Sequence, residues 1–289
     1  MSKPKILIQL DSDAQASVFD AVVAVDAPVD QLLRHANVQI SQVRDLVYGA
    51  MFTRGVDDLR HTAVFIGGSE VAAGEAILAQ VRRTFFGPMR VSVMLDSNGA
   101  NTTAAAAVVS AARHGSLQGA TAVVLGATGP VGSRVVRLLA LEGARVKVAS
   151  RSRPRAEAVC QAVAARVPGA QLTPIETTSS GHTAAALEGA QVVIGAGAPG
   201  IELVSAAVRA NSKSLKVAID LSAVPPVGLA GIEVVDKAVE RDGMICYGAI
   251  GVGGMKMKIH KAAIRQLFEG ADQVLDAEEI YRIGQHLGG

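Results

Sequence analysis

The chain contains no tryptophan, three tyrosines and six phenylalanines, so aromatic rings make up only 3% of it. Yet 49% of the residues are hydrophobic, so the apolar mass comes from Ala, Val, Leu and Ile. Small aliphatic side chains let helices lie close against a sheet, which favours a layered α/β protein. Neither sign of charge is in excess: 28 basic against 26 acidic residues leave a net +2. That balance argues against the basic surface by which proteins hold nucleic acid or membrane headgroups. Cysteine is nearly absent. Cys160 and Cys246 match no zinc or CxxC spacing, which argues against a disulfide framework and fits a reducing compartment. The six histidines show no metal-ligand spacing and HExxH is missing, so no metal is expected. No apolar run is long enough to span a bilayer, and the one in MSKPKILIQLDSD is too short for a secretory leader. The expectation from these absences is a cytoplasmic protein.

What the chain does have is alternation. Its 289 residues suffice for two domains. Strands are expected at 5–10, 62–66 and 90–95, with helices from Ser17 and from Ser41 and a third over 70–86 that stops at Gly87-Pro88. A helix over 101–114 leads onward. Further strands are expected at 121–125, 145–149, 171–175, 192–194, 216–219 and 244–247. Helices are expected at 131–142, 155–166, 183–187, 202–209, 255–268 and 277–287. Strands alternating with helices mean parallel βα units. The fold class is therefore two α/β domains with parallel sheets and a cleft between them, the second a Rossmann-type dinucleotide-binding domain. The expected boundaries are 1–100, joined by the C-terminal helix 271–289, and 101–270.

The stretch VVLGATGPVGSRV, residues 123–135, carries the first functional signal. A strand runs into Gly126, Gly129 and Gly132, and a helix follows. Amides at a glycine turn and the positive helix end together bind pyrophosphate. The spacing is GxxGxxG, with Ala127 in the middle place. Gly126, Thr128, Gly129, Pro130, Val131 and Gly132 are the expected pyrophosphate residues. The end of the next strand decides which cofactor is bound. NAD-binding folds place an acid there for the ribose hydroxyls. Here the run is VASRSRPRAE, with no acid before Glu157. Ser150, Arg151 and Arg155 are matched to a 2′-phosphate through charge-assisted bonds, so NADP is the expected cofactor. Ala196 and Gly197, in the GAGAPG loop after a later strand, are expected beside it.

Polar clusters at strand ends supply the remaining candidates. Asp11 and Asp13 follow the first strand and Asp20 lies in the next helix, although carboxylates at helix starts are often caps. DSNGANTT, residues 96–103, is either a turn with an N-cap or a binding loop. The segment GAIGVGGMKMKIHK, residues 248–261, suggests a second glycine turn before a helix. Lys256 would then sit near a helix start, an unfavourable place for a cation, and is the expected active-site residue.

Taken together, these motifs resemble the NADP-dependent methylene-tetrahydromethanopterin dehydrogenases of methylotrophic bacteria, over essentially the whole chain. The likeness includes FTRG at 52–55, FFGPMRVSVMLDSNGANTTAAA at 85–106, TGPVG at 128–132, PPVGLAGI at 225–232, GAIGVGGMKMKIH at 248–260 and DAEEIY at 276–281. The resemblance implies hydride transfer from the methylene group of a reduced pterin to NADP⁺ in one-carbon metabolism. Methylene-tetrahydrofolate is a possible second substrate, and a homo-oligomer, trimer or hexamer, is implied. On that reading Asp20, Asn98, Asn101, Thr102 and Thr103 bind the pterin, whose amide and amino groups a carboxylate and amides can pair. Other readings stay open: a bifunctional folate-type dehydrogenase/cyclohydrolase, a shikimate-type NADP dehydrogenase, or an NADPH-sensing module without turnover.

Overall fold

The computed structural model describes residues 3–288; Met1, Ser2 and Gly289, the outer ends of the expected first domain, lie outside the described residues. The chain divides into two compact units, 1–102 with 257–287 and 103–256 with 288–289. All three crossings, at 102/103, 256/257 and 287/288, fall inside helices, and the expected second-domain segment 257–270 groups with the first unit instead.

The first unit begins with β1 (Ile6–Leu10), α1 (Val18–Asp26), β2 (Gln31–His35) and α2 (Ile40–Phe52). It continues through β3 (Thr62–Ile66), α3 (Val71–Thr84) and β4 (Ser92–Leu95) to α4 (Ala100–Ala112). Ser17 caps α1, accepting the Asp20 N–H at 3.2 Å. β3 is buried at every residue, as a central parallel strand must be. β1, β3 and β4 present Ile8, Leu10, Val64, Ile66, Val93 and Leu95 to α2 and α3, which answer with Val43, Val47, Met51, Ile77 and Val81.

The second unit has β5 (Thr121–Leu125), α5 (Pro130–Leu141), β6 (Arg145–Ser150), α6 (Arg153–Arg166) and β7 (Gln171–Glu176). Then come α7 (Ser180–Leu187), β8 (Val192–Gly195), α8 (Ala206–Asn211), β9 (Val217–Asp220), β10 (Lys237–Arg241) and β11 (Met244–Tyr247). α9 (Ala249–Gln266) leads back to β12 (Val274–Leu275) and α10 (Ala277–Gly288). The strand order is β10-β11-β9-β8-β5-β6-β7, parallel except for the β10–β11 pair. The chain reverses its direction of winding at β5, and at such a switch point α/β sheets bind ligands. In the first unit β12 joins the edge, giving the all-parallel order β12-β4-β3-β1-β2.

One expectation fails in a way that matters. Residues 251–254 do not form a turn; α9 already starts at Ala249. Gly248 and Gly251 serve close packing instead. A Cβ on Gly248 would collide with the carbonyl of Glu233, and one on Gly251 with that of Asp236. The amides of Ile250 and Gly251 donate to Val234 O. The eighth position after a break thus becomes a helix interior, and Lys256 lies about two turns into α9. The dipole argument for that lysine lapses, because the field fades within the first turn. The expected helix at 202–209, by contrast, starts late, at Ala206.

Candidate functional site

In the second unit, the β5–α5 connection performs the turn its glycines imply. Gly126 has φ +71°, and a Cβ there would stand 2.7 Å from Ala196 O. Gly132 packs its Cα face on Gly126, whose carbonyl a Cβ would overlap. Gly129 is different: a Cβ there would make only ordinary contacts, with Gly126 O at 3.5 Å and Ala196 O at 3.7 Å, so packing does not demand glycine here. Pro130 takes the first helical position of α5, where a missing N–H costs nothing. Ala127 does not obstruct the turn. Its methyl is buried and its N–H is spent on Ala149 O at 3.1 Å.

The turn borders a cavity of about 460 Å³. Gly126, Thr128, Gly129, Ser150, Arg151, Arg155, Ala196 and Gly197 all line it. Pro130, Val131 and Gly132 stand behind the lining as the start of α5. Ser150, Arg151 and Arg155 come together because β6 ends at Ser150 and α6 opens immediately. The neighbouring arginine separates from them: Arg153 bonds Glu157 at 3.0 Å across one helical turn, whereas neither Arg151 nor Arg155 is ion-paired within the described residues. Two guanidinium groups are therefore available at one end of the cavity.

The opposite bank of that basic end was not anticipated. Thr177, Thr178 and Ser179, between β7 and α7, and Ser180, the first residue of α7, also line the cavity. The Thr177 N–H donates to Ser150 O at 2.9 Å, continuing the β6–β7 register. Ser179 caps α7 by accepting from the His182 N–H. The run TTSS is a visible signal, and the parallel neighbour of a cofactor strand is where such hydroxyls become useful. A glycine turn, a helix N-terminus and a basic far end suit a dinucleotide bearing an additional phosphate.

In the first unit, polar residues gather at the carboxyl ends of β1, β3 and β4. Asp11 is buried and fully used locally: it accepts from the Ser17 N–H at 2.9 Å, the Asp13 N–H at 3.0 Å and the Gln9 amide at 3.3 Å. Asp13 receives the Ser69 amide and hydroxyl. Asp20, half-buried in the first turn of α1, reaches toward the Gly67 backbone, where a Cβ would lie 3.4 Å from its Oδ2. Asn98 is exposed with φ +56°, and its N–H donates to Gly68 O at 2.6 Å. Asp20, the Gly67-Gly68 turn and Asn98 thus share one edge of the unit.

Asn101 and Thr102 differ from what a binding loop requires. The Asn101 amide donates to Leu95 O at 2.6 Å and to Asp276 at 3.0 Å. The Thr102 hydroxyl donates to Asp96 Oδ2 at 2.6 Å. Asp96 caps α4, receiving the amides of Asn101 and Thr102 at 3.0 Å each. Both side chains are buried and committed to this turn, so they shape the edge rather than face a ligand. Thr103 follows, half-buried, on the second unit's side of the division. Behind Asp96 the buried His260 ring stacks on Phe65 at 5.5 Å, with Nδ1 3.9 Å from Asp96 Oδ2.

A parallel sheet with a glycine turn at its switch point and a basic second-strand end defines a dinucleotide-binding α/β protein. Comparison with known proteins carries the assignment further. Residues 18–98 match the family model described as methylene-tetrahydromethanopterin dehydrogenase, N-terminal. The chain is 45% identical over 289 residues to the bifunctional protein MdtA of Methylorubrum extorquens, covering 99% of this chain and 100% of that one. It is 28% identical over 294 residues to the NAD(P)-dependent methylenetetrahydromethanopterin dehydrogenase of the same organism, covering 98% and 99%. Among solved structures, a chorismate mutase/shikimate 5-dehydrogenase fusion protein from Clostridium acetobutylicum shares the fold, at a TM-score of 0.53, 12% identity and 99% coverage of both chains. The chain belongs to the methylene-tetrahydromethanopterin dehydrogenase family. No helix among the described residues is long and apolar enough to cross a membrane, and none of their His, Cys, Asp and Glu residues form a group of three that could hold a metal ion.

Proposed function

We infer that the protein oxidises the methylene group of methylene-tetrahydromethanopterin to the methenyl form and reduces NADP⁺, with methylene-tetrahydrofolate as a second substrate. The full-length identity to a relative of this family carries the reading. The cavity supports it independently, because its basic end fits the 2′-phosphate of NADP⁺. When bound, NADP⁺ supplies the hydride acceptor. The methylene carbon lies between two nitrogens, which delocalise the cation left by hydride loss. No proton is abstracted, so an acid–base pair is not needed. The chain's own work is to bind, orient and exclude water. Thr128 and Gly129 hold the pyrophosphate, Ser150, Arg151 and Arg155 the 2′-phosphate, and Ala196 and Gly197 border the other half. Asp20 and Asn98 hold the pterin, while Asn101, Thr102 and Asp96 shape the turn that presents Asn98. We place the enzyme in the cytoplasm as a homo-oligomer.

Steady-state assays crossing both methylene-pterins with NADP⁺ and NAD⁺ test the reading. Turnover of the methanopterin substrate with preference for NADP⁺ is expected. Ligand binding without turnover on either pterin would overturn it in favour of a sensor, and hydrolysis of the methenyl product would reveal a cyclohydrolase.

Asp20→Ala tests the substrate edge. A hydrogen bond from a polar ligand group to a carboxylate contributes about 1.5–3 kcal/mol, so KM for the pterin should rise about tenfold or more, with KM for NADP⁺ unchanged. An unaltered pterin KM would remove Asp20 from the substrate site.

A further inference from the structure

The wall of the cavity on the β8 side is made by residues 196–203, which have no regular structure of their own. What fixes it leads to Asp220. This residue ends β9, is 2% exposed and pairs in register with Gly195 at the end of β8. Its carboxylate does not border the cavity. Oδ1 accepts the Ser222 N–H at 3.0 Å and Oδ2 the Leu229 N–H at 2.9 Å. Gly228 leaves the space this needs, since a Cβ there would lie 2.9 Å from Oδ1. Burial pushes the carboxyl pKa up, while the amides of Leu229, Ser222 and Gly228 pull it back.

Both ends of the loop 221–229 are therefore tied to one carboxylate, and the loop is in turn tied to the wall. Gly228 O accepts the N–H groups of Leu203 and Val204 at 2.7 and 3.0 Å, and the Ala230 N–H donates to Val204 O at 2.9 Å. Leu203 closes against Gly197, where a Cβ would meet its methyls at 2.9–3.0 Å. The chain of contacts runs from Asp220 through the loop to Val204 and Leu203, and so to Gly197 and Ala196. In the sheet β8 lies on one side of β5, and β6, which ends at Ser150, on the other. A dinucleotide with its 2′-phosphate at Arg151 and Arg155 lays its nicotinamide half toward β8.

We propose that Asp220 is a positioning residue for the nicotinamide half of the cofactor, its carboxylate holding the 221–229 loop so that the 196–203 wall keeps its shape. The proposal rests on the NADP⁺ reading above. Two ligands separate the halves of the cavity. Adenosine 2′,5′-bisphosphate probes only the basic end, and NADP⁺ needs both ends. Both are titrated calorimetrically against wild type, Asp220→Ala and Asp220→Asn. In Asp220→Ala two buried amides lose their acceptor, and NADP⁺ affinity should fall about tenfold or more while the bisphosphate binds as to wild type. Asp220→Asn keeps one acceptor oxygen and should recover part of the loss; it also carries the test should the alanine variant not fold. Equal weakening of both ligands would make Asp220 a general structural residue, and unchanged NADP⁺ affinity would free the wall from it; either overturns the proposal. Wild type without affinity for either ligand would overturn the cofactor reading, and the proposal with it.

Discussion

Replacing Lys256 by alanine is expected to lower kcat/KM by roughly a hundredfold, the order that loss of ligand orientation produces, with NADP⁺ affinity little changed. Lys256 lies inside α9, beyond the reach of the helix-end dipole; its burial and the helix face it occupies set its role. Lys256 is half-buried while Lys258 is exposed. Two residues apart on a helix point in different directions, whereas Lys256 and His260, four apart, share a face. His260 is fully buried against Phe65 and stands beside Asp96, whose turn presents Asn98. An ammonium close to the reacting carbon would oppose the forming methenyl cation. The role consistent with the chemistry is therefore to bond a pterin carbonyl or pair with a carboxylate, fixing ring position. Lys258→Ala should remain near wild type. Steady-state kinetics of both variants beside an NADP⁺ titration check this. Near-wild-type turnover by Lys256→Ala would show the lysine to be a bystander.

The glycine positions show how far the sequence could be read. Gly126, Gly129 and Gly132 were legible because strand, turn and helix follow in a strict order, and the structure separates them: positive φ at Gly126, only ordinary contacts at Gly129 and close packing at Gly132. The glycines of 248–254 look the same in sequence, yet they lie at the start and inside of a helix. What distinguishes Gly248 and Gly251 is the backbone of residues 233–237 against them, whereas Gly253 and Gly254 have no neighbour within 4 Å of a Cβ; that partner is one no local pattern reveals. The strands that escaped notice are β2, β10 and β12. QLLRH and KAVER are exposed along most of their length, because edge strands have no second neighbour and little burial to impose alternation. β12 is two residues long and exists through its pairing with β4. The polar cluster 96–103 was legible as either a turn or a binding loop, and the structure divides it. Asp96, Asn101 and Thr102 close the turn, and Asn98 is left outward.

Arg151→Asp should raise KM for NADP⁺ about a hundredfold and leave KM for NAD⁺ within a few-fold of wild type. The end of β6 carries no acid, and Arg151 and Arg155 line the cavity with Ser150 and the hydroxyls of Thr177 and Thr178. A charge-assisted bond lost to a phosphate costs about 1.5–3 kcal/mol, equivalent to about ten- to a hundredfold in affinity. The aspartate adds repulsion against a dianionic phosphate, which moves the result to the upper end. NAD⁺ lacks the 2′-phosphate, and the new carboxylate can accept from the ribose hydroxyls, as acids at this place do in NAD-binding folds. Arg153→Asp is the control. It sits two residues away but is engaged with Glu157 at 3.0 Å, so it should alter neither KM by more than a few-fold. The discriminating measurement is the ratio of kcat/KM for NADP⁺ to that for NAD⁺ in each variant, at one ionic strength, because an exposed arginine's long-range attraction for anions is screened by salt. A fall in that ratio confined to Arg151→Asp locates the 2′-phosphate at the end of β6. Equal effects on both cofactors would remove Arg151 from the phosphate site and leave the basic run as a solvated loop.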